Sequence, residues 1–236
     1  MKPLIADLHM HTLVSGHAFG TIREMAADAA QKNLQLIGIT EHGPGVPGTC
    51  DPIYFLNLMD APRTLYGVEI LYGCVVNILP AGELSLGQRY LDSLDYAIAG
   101  IHGFCFRDEG IVKNTDALIR CMENPKVRFL SHPDDSRYPL DYRALVQGAR
   151  AYDTALEINN SSLRTPSFRQ GCWENYRTML PLCMEYQVPV VVDSDAHDPL
   201  FVGDFTCAVQ LLDQIGFDEG LILNNDLEKV KSFLLK

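Results

Sequence analysis

The stretch Leu4-Ile5-Ala6-Asp7-Leu8-His9-Met10-His11 decides the fold class. It opens as an apolar strand and closes on two histidines one residue apart. A strand places residues i, i+2 and i+4 on one face, so His9 and His11 are expected to point together, with Asp7 beneath them as an orienting partner. Histidines recur after other apolar runs: Glu41-His42-Gly43, Ile101-His102-Gly103, Ser131-His132-Pro133 and Asp193-Ser194-Asp195-Ala196-His197. Asp195 and His197 repeat the spacing of His9 and His11. With His17, in the loop Val14-Ser15-Gly16-His17, these account for all 7 histidines.

Working outward, apolar runs predict strands over Leu4–Leu8, Gln35–Thr40, Val68–Val75, Tyr96–Ile101, Val127–Ser131, Ala155–Ile158 and Val188–Asp193. Helical patterns lie between and after them, at Thr21–Asn33, Ile53–Leu65, Thr115–Asn124, Asp141–Tyr152, Ser167–Glu185, Asp204–Ile215 and Asp226–Leu235. Thr21 and Glu24 form a capping-box pattern, and Asn33 stands where a helix stop is expected. The segment Asn77–Gln88, with Pro80, Gly82 and Gly87, reads as a hairpin or loop. Near-continuous apolar strands alternating with helices imply a parallel sheet covered by helices. Seven such units predict one α/β domain over residues 1–236, a closed or nearly closed TIM-like barrel. Chemistry in such barrels sits at the C-terminal ends of the strands, where these histidines stand.

The formal net charge of −11 disfavours nucleic acid and anionic membrane as partners. Bound cations can still invert the potential at a site for an anionic substrate. No apolar run is long enough to cross a bilayer, and the first residues lack a signal-peptide layout. These features predict a cytoplasmic enzyme. The 7 cysteines are scattered, without a C-x-x-C pair. They read as small core residues in a reducing compartment rather than as a structural zinc site.

His9, His11, His17, His42, His102, His132 and His197, with Asp195, exceed the needs of one ion, which takes about four ligands when it is zinc. Two or three divalent transition metal ions are expected. A nitrogen-rich set with some carboxylate suits Zn, Mn or Fe rather than Ca or Mg. Such clusters hydrolyse esters: bound water is acidified to hydroxide, and neighbouring metals hold the substrate oxygens. No Gly-rich phosphate loop or Ser-His-Asp arrangement competes. Glu157, inside strand six, reads as a buried structural carboxylate ahead of a catalytic base. Arg137 and Arg169, in loops near the mouth, read either as phosphate grips or as solvated surface residues. Trp173 and Phe168 read as helix packing.

These residues resemble the polymerase and histidinol phosphatase (PHP) family, in its branch of probable phosphatases. The markers are Asp7-Leu8-His9-Met10-His11-Thr12, Thr40-Glu41-His42-Gly43-Pro44, Asp92-Ser93-Leu94-Asp95, Ser131-His132-Pro133, Leu156-Glu157-Ile158-Asn159-Asn160-Ser161-Ser162 and Ser194-Asp195-Ala196-His197. The resemblance implies a distorted seven-stranded (β/α) barrel that hydrolyses phosphoesters at a trinuclear metal site. It implies ligand sets of His9, His11 and Asp195 for one metal, His102 and His132 for a second, and His17, His42 and His197 for a third. It also implies a bridging glutamate where this chain has Val75, within Gly73-Cys74-Val75-Val76-Asn77. Three readings of that departure stand: an exogenous bridge, Glu83 reaching in, or a weakened or lost activity. Glu69 stands too far back along the strand. The expected function is a metal-dependent phosphomonoesterase acting on a small phosphorylated molecule through a metal-bound hydroxide. The alternatives are a histidinol-phosphate phosphatase and a non-catalytic metal- or phosphate-binding protein.

Overall fold

The computed structural model describes residues 2–165 and 167–236. Seven parallel strands follow one another around a nearly closed barrel: β1 (Ala6–Met10), β2 (Leu36–His42), β4 (Val68–Asn77), β5 (Tyr96–Gly100), β6 (Val127–Leu130), β7 (Ala155–Asn159) and β8 (Val190–Asp193). A two-residue strand, β3 (Thr64–Leu65), pairs antiparallel with β4. The seam between β8 and β1 is joined past the end of β8, where Met10 bridges Ala196 and the His11 N–H donates to the Ala196 carbonyl at 2.8 Å.

Helices cover the barrel: α1 (Ile22–Gln31), α2 (Ile53–Asn57), α3 (Gln88–Leu91), α4 (Ile111–Cys121), α5 (Tyr142–Ala151), α6 (Asn160–Arg164), α7 (Cys172–Tyr186), α8 (Thr206–Ile215) and α9 (Leu227–Leu234). The capping box of Thr21 and Glu24 starts α1, and Asn33, at φ 61°, follows its end. The expected helix Ile53–Leu65 is corrected: α2 stops at Asn57, and the chain turns through Leu58–Asp60 into β3. Tyr66 and Gly67, at φ 53° and 83°, then make a tight hairpin into β4. The Asn77–Gln88 segment is a hairpin-like loop, with Ile78 bridged antiparallel to Leu84.

Two cores result. Outward-facing strand residues pack under the helices. Inward-facing Leu8, Leu36, Leu71, Val75, Ile98, Phe129 and Val191 fill the barrel, and Phe233 and Leu234 of α9 pack into the same cluster. Tyr96 lies inside and donates from its hydroxyl to the Leu8 carbonyl at 2.6 Å. Gly38 makes room for it, since a Cβ there would stand 1.9 Å from the Tyr96 oxygen.

The pairing of β1 with β2 runs Ala6↔Leu36, Asp7↔Ile37, Met10↔Ile39. Leu8 and His9 together therefore oppose Gly38, as in a β-bulge. This breaks the alternation expected from sequence. Leu8 joins the inner core and Met10 the outer one, while His9 turns toward the barrel mouth.

Candidate metal centre

Strand ends and the loops after them deliver all seven histidines to one place. His9 and His11 come from the end of β1, His42 from the end of β2, and His102 and His132 from two residues beyond β5 and β6. Asp195 and His197 lie beyond β8 in a turn, with Asp195 at φ 51°, so the expected strand alternation does not bring them together. His17 arrives on the loop after the short turn Leu13–Ser15. Ring centroids lie 4.1 Å apart for His11 and His42, 4.4 Å for His11 and His197, 5.0 Å for His17 and His42, and 5.2 Å for His102 and His132.

Hydrogen bonds fix which nitrogen of each central ring faces the cluster. His9 Nδ1 donates to Glu157 Oε1 at 2.6 Å. Ser15 Oγ donates to Glu41 Oε2 at 2.6 Å and accepts from the His42 N–H at 3.0 Å, so His11 Nδ1, also 3.0 Å away, donates to it. Thr12 gives Glu41 two further donors, its N–H at 3.1 Å and its hydroxyl at 2.5 Å. The two imidazoles thus carry their protons on Nδ1. Their Nε2 atoms stand 3.0 Å apart, and each is 3.4 Å from Asp195 Oδ1. Three electron-rich atoms surround one point, which positive charge alone satisfies: an added proton on a ring, or a cation.

Asp7 does not have the role expected of it. The bulge places it on the other side of the strand, where it accepts from the Ser194 N–H at 3.1 Å, the Ser194 hydroxyl at 2.6 Å and the Gly203 N–H at 2.8 Å. Glu157 stands in its place as the partner of His9. It is fully buried, and its other oxygen accepts from the His132 N–H at 2.6 Å and from Asn159 Nδ2 at 3.0 Å. That is a structural carboxylate, as the sequence reading favoured. Asn159 also donates to Asp195 Oδ2 at 3.1 Å and caps α6 by accepting from the Ser162 N–H at 2.9 Å.

Electrostatics keep most rings neutral, with a lone pair free to bind. Burial, reinforced by neighbouring imidazoles, holds His11 and His42 well below the usual imidazole pKa; burial with Arg169 does the same to His132 and pushes His102 down to about 3. His9 is the exception: burial opposes its charge, but Glu157 and Asp195 outweigh it and lift its pKa to about 9. Burial would raise Asp195, yet His9, His11 and Arg169 hold it well below the carboxylate range.

Single ligand atoms of His9, His11 and Asp195 lie within 4.8 Å of one another, and so do those of His11, His42 and His197. That is the spacing of donors around one ion, given bonds of about 2.0–2.3 Å. His17 Nε2 is 3.2 Å from His197 Nε2. The Nδ1 atoms of His42 and His102 are buried without a hydrogen-bond partner among the described residues. The donor set therefore fits transition metal ions. His102 and His132 find no third His, Cys, Asp or Glu donor among the described residues. Val75, fully buried beside Ile98, belongs to the apolar inner layer. Glu83 is exposed and lines a different groove with Arg120 and Asn124. Glu69 pairs with Lys231.

His17, His42, His102, His132, His197 and Asp195 line a cavity of about 550 Å³, with His9 and His11 buried out of its lining. Phe19, Tyr138, Phe168 and Phe201 are among its walls, with Arg137, Arg164 and Arg169 between them. Arg169 binds Asp195 Oδ2 at 3.2 Å and Ser162 Oγ at 2.8 Å, and Arg137 pairs with Asp135. Arg164 pairs with Asp204 at 3.0 Å and lies 3.8 Å over the Phe201 ring. Sequence reasoning missed Ser15, Arg164 and the role of Glu41. Their only signal was position, Ser15 four residues after His11 and Glu41 next to His42.

Residues 7–160 match the family model described as PHP domain. The chain is 42% identical over 233 residues to a probable phosphatase of Caldanaerobacter subterraneus subsp. tengcongensis, covering 98% of this chain and 91% of that protein. It is 40% identical over 229 residues to a probable phosphatase of Syntrophotalea carbinolica, covering 97% and 95%. Among solved structures, the histidinol phosphate phosphatase of Lactococcus lactis, complexed with zinc, L-histidinol and phosphate, superposes with a TM-score of 0.63 at 15% identity, covering 91% of this chain and 95% of that one. That likeness is one of fold. The chain belongs to the PHP domain family, in the company of relatives named probable phosphatases.

Proposed function

We propose that the protein is a metal-dependent phosphomonoesterase for small organic phosphates. The observation that carries this reading is the convergence of His9 Nε2, His11 Nε2 and Asp195 Oδ1 on one buried point beside an open cavity that Asp195 itself lines. His11 has a single free nitrogen, because Nδ1 is bound to Ser15. It serves one ion, with His9 and Asp195. His42 and His197, which share close donor spacing with His11 rather than with His17, offer donors to a second ion, with His17 3.2 Å from His197, and His102 and His132 offer two donors to a third. At that pair an exogenous bridge stands in for the carboxylate that Val75 lacks.

Bound divalent cations would supply Lewis acidity toward phosphoryl oxygens and acidify a bound water. The chain's own residues do the rest. Arg169, anchored on Asp195 and Ser162, presents positive charge beside the cluster to the phosphate. Each cavity arginine already has a carboxylate partner, Arg137 with Asp135, Arg164 with Asp204 and Arg169 with Asp195. The arginine charge left over for a second phosphate is therefore small, which favours substrates with a single phosphate group. Phe19, Phe168 and Phe201 give the organic part apolar walls to rest on.

The test is hydrolysis of 4-nitrophenyl phosphate by metal-stripped protein with Mn or Zn restored. Activity should depend on the added metal, and Asp195→Asn should lower kcat by more than about 100-fold. Turnover absent with every metal would favour the non-catalytic reading instead.

A further inference from the structure

The imidazoles of the cluster are unequally anchored. Behind His9 stands Glu157, bonded directly at 2.6 Å and itself held by the His132 N–H and by Asn159. Behind His11 stands a two-step relay, Ser15 Oγ at 3.0 Å and then Glu41 at 2.6 Å. Every valence of that relay is assigned. Ser15 gives its one proton to Glu41 and accepts from His11 and from the His42 N–H, while Thr12 supplies Glu41 with two more donors. Asp195 is pinned by Asn159 and Arg169. All of these side chains except Arg169 are at least nine-tenths buried.

Among the described residues, none of the other imidazoles has a hydrogen bond to a carboxylate, direct or through a hydroxyl. Neither ring nitrogen of His42 or of His102 has a hydrogen-bond partner among the described residues, so whichever one binds a cation the other is unsupported, and His132 Nε2 reaches the Ser131 hydroxyl at 3.2 Å. His197 Nδ1 meets only a neutral partner, the Asp195 carbonyl at 3.1 Å, and His17, exposed at the rim, has His197 as its one hydrogen-bond contact among the described residues. Partners of this kind lock a ligand's tautomer and ring orientation before the ion arrives, and their removal typically weakens metal binding about 10–100-fold.

We propose that the metal centre is graded. The His9, His11 and Asp195 set retains one cation tightly, because Glu157 and the Ser15–Glu41 relay hold its donors ready. The His17, His42 and His197 set and the His102 and His132 pair hold theirs loosely and exchange them. Ser15, Glu41 and Glu157 are positioning residues for that first ion, and no part of this requires them to touch substrate. The inference rests on the metal-centre reading above.

The experiment is extraction of zinc from the loaded full-length protein by a chromogenic chelator, followed in time and checked by elemental analysis of the protein left behind. Wild type should lose zinc in two phases and keep about one ion after the fast phase. Ser15→Ala and Glu157→Gln should speed the slow phase about 10–100-fold, and His42→Ala should alter the fast phase and leave the slow ion in place. Far-UV circular dichroism of each stripped variant reports its fold. Should Ser15→Ala fail to fold, Glu41→Gln, which keeps an oxygen for Ser15 but removes the charge, should give a smaller acceleration in the same direction. Release of all ions at one rate, or a slow ion unmoved in folded Ser15→Ala, would overturn the grading. Zinc that never loads in stoichiometric amount would instead remove the metal-centre reading on which it stands.

Discussion

His132 and Asp195 are the residues on which backbone strain and chemistry coincide. Both are non-glycine residues at positive φ, 35° and 51°, and such conformations persist where surroundings over-determine them. Here Glu157 holds the His132 N–H, and Arg169 and Asn159 hold the Asp195 side chain. Val75 is the counter-example, a side chain that offers the His102 and His132 pair nothing. Val75→Glu should add about one zinc ion per chain at saturating metal, read by elemental analysis; an unchanged ion count would mean the third site is not limited by that carboxylate. The gathering of the seven histidines and Asp195 at one end of the barrel was legible in the sequence, because most of those histidines directly follow apolar runs that become strands. Ser15 and Glu41 were not read as partners of His11, because a serine proclaims nothing until folding brings it against a ring from one strand and a carboxylate from another. Asp7 was misassigned for a related reason: a bulge changes which face a residue occupies without changing its spacing.

At the scale of elements, that bulge lets β1 contribute both to the inner core through Leu8 and to the centre through His9. The space opposite it is set by Gly38 and filled by Tyr96. Gly38→Ala should therefore destabilise the fold by about 1–3 kcal/mol through overpacking, seen as a lower urea midpoint. A midpoint equal to wild type would mean that Tyr96 moves aside freely. Helix α1 offers a local comparison. Its capping box is exposed, with the Glu24 N–H donating to Thr21 Oγ at 3.3 Å and the Thr21 N–H to Glu24 at 2.8 Å. Thr21→Ala should cost about 1 kcal/mol, leaving the centre's metal content unchanged. The strands were readable from apolar runs and the α1 cap from its residue types. The segment after Ile53 was not, because its apolar spacing continues past Pro62, where the backbone extends into β3 before the Tyr66-Gly67 turn leads it into β4.

The whole molecule places a charged, polar mouth above an apolar barrel core, with α9 packed against the apolar end. Convergence of residues nearly the full chain apart followed from topology, since parallel strands all deliver their ends to one rim. Buried charge gives the metal-free protein a pH dependence. Burial opposes charge on His9, but Glu157 and Asp195 raise it from 6.5 to about 9. The folded state therefore binds that proton more tightly than the unfolded chain, a contribution fully present below pH 6.5 and lost as pH rises through about 9. Urea midpoints of chelator-treated protein should fall between pH 6.5 and 9.5; a flat or rising profile would contradict the charge assignment at His9. The account as a whole depends on cations lying among imidazoles gathered from four strand ends and two loops. Anomalous diffraction from metal-soaked crystals, recorded across the zinc or manganese edge, tests this most directly. It should show its strongest peak between His9 Nε2, His11 Nε2 and Asp195 Oδ1; crystals with no peak among these side chains would contradict it.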